Sequence, residues 1–196
     1  MKLILFDFDG TLTTKDSFLE FIKFTHSPLQ LWGGLLLLSP ILIGMKLGIF
    51  SNEFAKPLLL SLYYRGKSKE ELEHLGQLFH RDYLPKILRA KGIAEIQAHQ
   101  AAGQTLALVS ASVEIWLKPF AEQMGMTLIC TKAAYRDGKF IGKFDGKNCI
   151  GPEKVKRICE AFNLKDFDEL IAYGDTAGDR EMLALADQTH FKPFRD

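Results

Sequence analysis

The sequence predicts an α/β protein built on a doubly wound parallel sheet, with a small all-helical unit inserted after the first strand. Three observations carry that expectation. Apolar strand signals at residues 2–6, 105–110 and 170–173 alternate with helical periodicity at about 86–102, 113–124, 153–162 and 179–186. The three strands end in Asp7, Ser110 and Asp175, at the carboxyl ends where such sheets gather their functional groups. Between the first two strands, residues 16–83 are helical in pattern and lack strand alternation.

The first strand, Leu3-Ile4-Leu5-Phe6, runs into Asp7-Phe8-Asp9-Gly10-Thr11-Leu12. Strand side chains alternate faces, so Asp7 and Asp9 start on one side. Gly10 lets the backbone leave the strand in a conformation other residues resist. Carboxylates held that close repel, and a hard cation such as Mg²⁺, which prefers oxygen ligands, relieves the repulsion. Within the helical stretch, Ser68-Lys69-Glu70-Glu71 is a capping box, followed at helical spacing by Leu72, Leu75, Leu78, Phe79 and Tyr83. Leu29–Met45 carries no charge, and Gly33-Gly34 and Pro40 break it into two short apolar helices meeting near Ser39-Pro40. Such a segment lies in a membrane interface, forms ordinary core of the insert, or covers a dimer contact; Trp32 and the flanking Lys23, His26 and Lys46 suit the first.

The later elements come in order. Thr105-Leu106-Ala107-Leu108-Val109 leads to Ser110-Ala111-Ser112, where the amides of Ala111 and Ser112 are expected to open a helix at its positive end. Ser112 itself reads as a helix cap, with Glu114 complementing the helix dipole. Residues 133–143 read as a hairpin turning at Asp137-Gly138. Lys154 stands near a helix start signalled by Gly151-Pro152, and Leu170-Ile171-Ala172-Tyr173 leads into Gly174-Asp175 and Asp179.

Composition narrows the classes. Lys and Arg total 25 against 24 Asp and Glu, a net charge of +1, so no nucleic-acid footprint is present. A hydrophobic content of 47% with fifteen Phe hints at an apolar surface. Cys130, Cys149 and Cys159 are odd in number with no paired spacing, which argues against a disulfide framework or zinc site and fits a reducing cytoplasm. Gly142-Lys143-Phe144-Asp145-Gly146-Lys147-Asn148 lacks the spacing and the hydroxyl residue of a P-loop.

The four segments around Asp7-x-Asp9-Gly10-Thr11, Ser110, Lys154 and Asp175–Asp179 together resemble, in order, the four motifs of the haloacid dehalogenase-like phosphatases. The likeness frames nearly the whole chain. It implies a Rossmann-like core at residues 1–15 and 84–196 and a helical cap at 16–83, as in the phosphoserine phosphatase-like branch. It also implies a Mg²⁺-dependent phosphomonoesterase acting through an aspartyl-phosphate. Asp7 would be the nucleophile and Asp9 the general acid and base, with Ser110, Ala111 and Lys154 holding the phosphoryl group. Asp7, the backbone carbonyl of Asp9 and Asp175 would ligate the metal, with Asp179 in support through metal-bound water or Lys154. Gly178 stands where that branch often has Asn, and Asp16 where phosphoserine phosphatases place Glu, which weakens serine phosphate as the substrate. Asp16 either faces substrate or caps the following helix. The insert resembles in character that of phosphatidylglycerophosphate phosphatases. The expected partner is thus a phosphorylated small molecule or a lipid phosphate, met in the cytoplasm or peripherally at the inner membrane surface through Leu29–Met45. A response-regulator receiver domain is excluded by the position of its acidic residues and its lack of a helical insert. A non-catalytic binding module is disfavoured because every catalytic position is filled.

Overall fold

The computed structural model describes residues 1–46 and 52–195, so residues 47–51 of the predicted insert and residue 196, and the side chains of Ile41, Leu42, Met45, Lys46 and residues 52–55, lie outside the described set. Six strands form one sheet among these residues: β1 (Lys2–Phe6), β2 (Thr105–Val113), β3 (Thr127–Arg136), β4 (Lys139–Asp145), β5 (Glu169–Gly174) and β6 (Gln188–Phe191), in the order β4-β3-β2-β1-β5-β6. All pairings are parallel except β3 with β4. The order reverses at β1, which lies between β2 and β5. That reversal opens a crevice at the carboxyl ends of the strands, the place where such sheets bind ligands.

β1 matches its predicted span, because a continuous apolar run flanked by polar residues suits a strand buried on both faces. Other elements depart from expectation. β2 runs on through Val113, so Ala111 and Ser112 are strand residues and the next helix begins later, at Glu114. The helix expected from residue 86 starts at Ala90, after a short 3-10 turn at Leu84–Lys86, because Ile87 and Arg89 bond back to Thr14 and Leu12. The hairpin turns at Asp137 and Gly138, both with positive φ (48° and 72°), the two-residue turn whose twist matches its strands.

The insert contains α1 (Ser17–Thr25), α2 (Pro28–Leu37), α3 (Ser39–Lys46), α4 (Asn52–Tyr64) and α5 (Lys69–Asp82). The apolar segment does divide at Ser39, as the Pro40 signal predicts. The core helices are α6 (Ala90–Ala101), α7 (Glu114–Gln123), α8 (Pro152–Ala161) and α9 (Arg180–Leu185). Insert and one face of the sheet share a hydrophobic cluster, while Leu3, Leu5 and Val109 on the other face pack with Ile158 and Met182 in a second. Phe21 of α1 stacks on Trp116 of α7 (4.9 Å, 25°) and meets Phe79 of α5 edge-on (5.4 Å). A second link is made by the chain at 66–69, which lies along β4: Gly66 donates to the Phe140 carbonyl, Phe140 to that of Lys67, and Lys69 to that of Gly138, each at 2.9 Å.

Gly76 shows how close this packing is. A Cβ there would lie 1.8 Å from the Ile115 carbonyl oxygen, so α5 rests directly on the start of α7. Gly76→Ala is therefore expected to destabilise the protein by about 3 kcal/mol, the upper end of ordinary overpacking. Urea denaturation checks this, and an unchanged midpoint would show that the two helices separate freely.

Candidate active site

Residues after β1 and β5, the later part of β2 and one helix start converge on a cavity of about 590 Å³. Asp7 and Asp9 follow β1, Ser110 and Ala111 lie in β2, Lys154 is in the first turn of α8, and Asp179 follows β5; all six line the cavity. Thr14 and Lys15, further along from β1, and Asp16 and Lys56 of the insert line it too. Asp175 sits behind them, 6% exposed.

Lys154 is the centre of the arrangement. Its ammonium is buried and donates to Asp7 Oδ1 (2.7 Å), Asp179 Oδ1 (2.6 Å) and the Val109 carbonyl (2.8 Å), using all three of its donors. Burial alone would lower the Lys154 pKa, but the charges of Asp7 and Asp179 outweigh it and hold the group ionised well above its usual range. Asp179 Oδ2 accepts from the amides of Asp175 (3.1 Å) and Thr176 (2.9 Å) and from the Thr176 hydroxyl (3.0 Å). Burial opposes its ionisation, yet Lys154 and those donors bring its pKa below the ordinary carboxylate value. Asp7 is different. Burial pushes it up to about 7, against the pull of Lys154, because Asp179 and Asp9 add like charge nearby.

Carboxylate oxygens of Asp7, Asp175 and Asp179 lie within 4.8 Å of one another, all three residues buried. Oxygen donors so crowded, with like charges so near, suit a hard divalent cation. Asp179, expected only in support, lies in this group of side chains, while the Asp9 carboxylate points elsewhere, as expected of a residue that would offer its backbone carbonyl. Asp9 Oδ1 accepts from the Ser17 amide (2.6 Å) and Oδ2 from the Ser112 hydroxyl (2.5 Å). Burial and the neighbouring Asp16 raise the Asp9 pKa, and the Ser112 and Ser17 hydrogen bonds partly offset them. Ser17 is in turn held by Trp116 Nε1 (2.9 Å), so the first residue of α1 is tied to this carboxylate.

Several residues take roles other than those the sequence suggests. Ser112 is not a helix cap; Val113 precedes α7, and the Ser112 hydroxyl serves Asp9. Glu114 sits in the first turn of α7, as expected of a dipole partner, and also binds the Ala133 amide through both oxygens (2.9 and 3.0 Å), joining α7 to β3. Ser110 Oγ accepts from the Ser112 amide (3.0 Å), so Ala111 and Ser112 present strand amides here and not a helix terminus. Asp16, by contrast, is the N-cap of α1 that one of its two sequence readings expected, accepting from Leu19 N (3.0 Å), and it also lines the cavity. Thr11 and Arg195 are site residues whose roles the sequence does not announce. The Thr11 hydroxyl donates to Asp7 Oδ2 (3.0 Å) and lies 3.5 Å from Asp175 Oδ1; the Arg195 guanidinium donates to Asp175 Oδ2 (2.5 Å).

Gly10 is required twice over. Its φ is +82°, and a Cβ would lie 2.3 Å from Asp175 Oδ2. Gly10→Ala is expected to displace Asp175 and to lower stability by about 2 kcal/mol through backbone strain and overpacking together; thermal unfolding beside a cation titration checks both effects.

Comparison with known proteins agrees with this geometry. The profile of the family described as haloacid dehalogenase-like hydrolase matches residues 4–184. Protein CicA of Caulobacter vibrioides is 36% identical over 98% of this chain and 86% of its own length. A crystal structure of a protein of unknown function from Bordetella pertussis Tohama I superposes with a TM-score of 0.83 at 26% identity, over 96% of this chain and 88% of that one. A phospho-aspartyl intermediate analogue of phosphoserine phosphatase superposes with a TM-score of 0.60 at 25% identity, over 96% and 84%. The chain belongs to the haloacid dehalogenase-like hydrolase family.

Proposed function

We propose that this hydrolase cleaves phosphoric monoesters with Mg²⁺, through a phosphoryl group carried on Asp7, with residues 1–15 and 84–196 as catalytic core and 16–83 as cap. The observation that carries the reading is the single cavity joining Asp7, held by Lys154 and Thr11, to an Asp9 whose carboxylate is oriented independently. A bound Mg²⁺ would be held by Asp7, Asp175 and the Asp9 carbonyl, with Asp179 in support, and would neutralise charge on the phosphoryl oxygens and keep Asp7 ionised. Asp7 attacks phosphorus as the ester P–O bond breaks. Asp9, its pKa raised by burial, gives its proton to the departing oxygen. Asp9 then takes a proton from water, which attacks phosphorus and releases phosphate and free Asp7. The positive charge of Lys154, the Ser110 hydroxyl and the Ala111 amide stabilise the equatorial oxygens.

The substrate is a phosphorylated metabolite or a lipid phosphate, and one feature favours the second. In α2, Leu29 (84% exposed), Trp32 (67%), Leu36 (75%) and Leu37 (68%) form an apolar stripe on the outer face, while Leu31, Leu35 and Leu38 pack inward. A helix whose only polar side chain is Gln30 in its first turn, with one bare apolar face, suits a membrane interface. No helix among the described residues is long and apolar enough to cross a membrane. The alternative site of action is the cytoplasm, with a soluble ester.

The test is phosphate release with Mg²⁺ from phosphatidylglycerophosphate in mixed micelles, beside phosphoserine and short sugar phosphates. Micelle-selective turnover supports the lipid reading. Turnover of soluble esters alone assigns the stripe elsewhere, and no release from any ester overturns the phosphatase reading.

A further inference from the structure

Asp175 is gripped from a different direction than Asp7 and Asp179. β6 pairs with β5 up to Phe191, opposite Gly174. Beyond it Lys192 takes a left-handed φ of +55° and donates its amide to the Gly174 carbonyl (2.8 Å), turning the chain across the end of β5. A non-glycine residue adopts that conformation at a cost of about 1 kcal/mol, so the turn is held by the contacts of Phe194 and Arg195. Phe194, 8% exposed, lies flat on Tyr173 (5.5 Å, 17°) and fills the space over Gly92, where a Cβ would come within 3.2 Å of its ring. These anchors deliver Arg195 Nη2 to Asp175 Oδ2. The backbone of Gly10 closes on the same oxygen. Oδ2 is thus enclosed, while Oδ1 faces Thr11, whose hydroxyl is shared with Asp7.

We propose that Arg195 is a positioning residue that makes Asp175 a one-oxygen ligand and thereby tunes the acidic triad for Mg²⁺ against Ca²⁺. This rests on the cation reading given above. Mg²⁺ demands a near-octahedral shell at about 2.0–2.1 Å, whereas Ca²⁺ accepts more oxygens at about 2.3–2.6 Å and often takes both from one carboxylate. A guanidinium on Oδ2 is a strong charge-assisted bond that withholds that oxygen. Without it, the Asp175 carboxylate can turn and offer both, which favours the larger ion.

Calorimetric titration of the full chain with Mg²⁺ and with Ca²⁺ tests this without any substrate. Removing a positive charge strengthens attraction for either dication alike, so the ratio of the two affinities reports the orientation. Arg195→Ala is expected to lower the Mg²⁺-to-Ca²⁺ affinity ratio about tenfold, the usual scale for loss of a group that orients a metal ligand. Arg195→Lys, which keeps a cationic donor, restores part of the ratio. An unchanged ratio in Arg195→Ala, whatever its melting temperature, overturns the assignment while leaving the cation site intact. A wild-type chain that takes up neither ion removes the cation reading and the role of Arg195 with it.

Discussion

Asp7→Asn is expected to reduce phosphate release by about 10⁴-fold or more, the scale seen when a nucleophile is removed from a group of residues that act as a unit. The amide has the carboxylate's shape but neither its charge nor its nucleophilicity. The fold should survive. Asp7 is buried, with its pKa pushed up to about 7, so a neutral isostere relieves crowding among the acids, and Lys154 retains Asp179 as its partner. Activity and thermal unfolding measured together separate chemistry from stability. Retention of turnover within tenfold of wild type would mean that the phosphoryl group is attacked by some other group.

Lys154→Met is the second large effect, and it falls on stability as well as rate. Lys154 is 1% exposed and neutralises two buried carboxylates at 2.7 and 2.6 Å. Taking one partner from such a buried cluster leaves uncompensated charge and typically costs about 3–5 kcal/mol. For a chain of this size that lowers the melting temperature by about 10 °C. Mg²⁺ should return more of the lost stability in this variant than it adds to the wild type, because the cluster left behind is more negative and binding to the folded state stabilises it. Differential scanning calorimetry with and without Mg²⁺ measures both quantities. An unchanged melting temperature would show that the carboxylates do not depend on this ammonium.

The parts of the fold legible in the sequence are those written in contiguous residues. The apolar runs of β1, β2 and β5 each end in a polar residue, and Pro40 marks the break between α2 and α3. β6 is not legible because Gln188–Phe191 is a short, exposed edge strand with no buried face to impose alternation. The far end of β2 is hidden because Ser110-Ala111-Ser112 reads as the approach to a helix, whereas pairing with β3 carries the strand on to Val113. Asp7, Asp9, Lys154, Asp175 and Asp179 can be picked out by motif and come together around one cavity. Their supporting residues cannot. Ser112 meets Asp9 across 103 positions, and Arg195 reaches Asp175 through a left-handed Lys192 that no glycine announces.

The bonds between residues 66–69 and β4 have a consequence for solubility. β4 is the terminal strand on its side of the sheet, and its outward backbone groups at Phe140 are occupied by Gly66 and Lys67. An uncovered edge is a template for pairing with another chain. Excising the helical unit to obtain a minimal core would therefore strip the guard from that edge and favour edge-to-edge self-association. In evolutionary terms, the unit that contributes Asp16 and Lys56 to the cavity also covers this strand edge, so it is not free to be exchanged for one of different length unless the replacement covers the same strand.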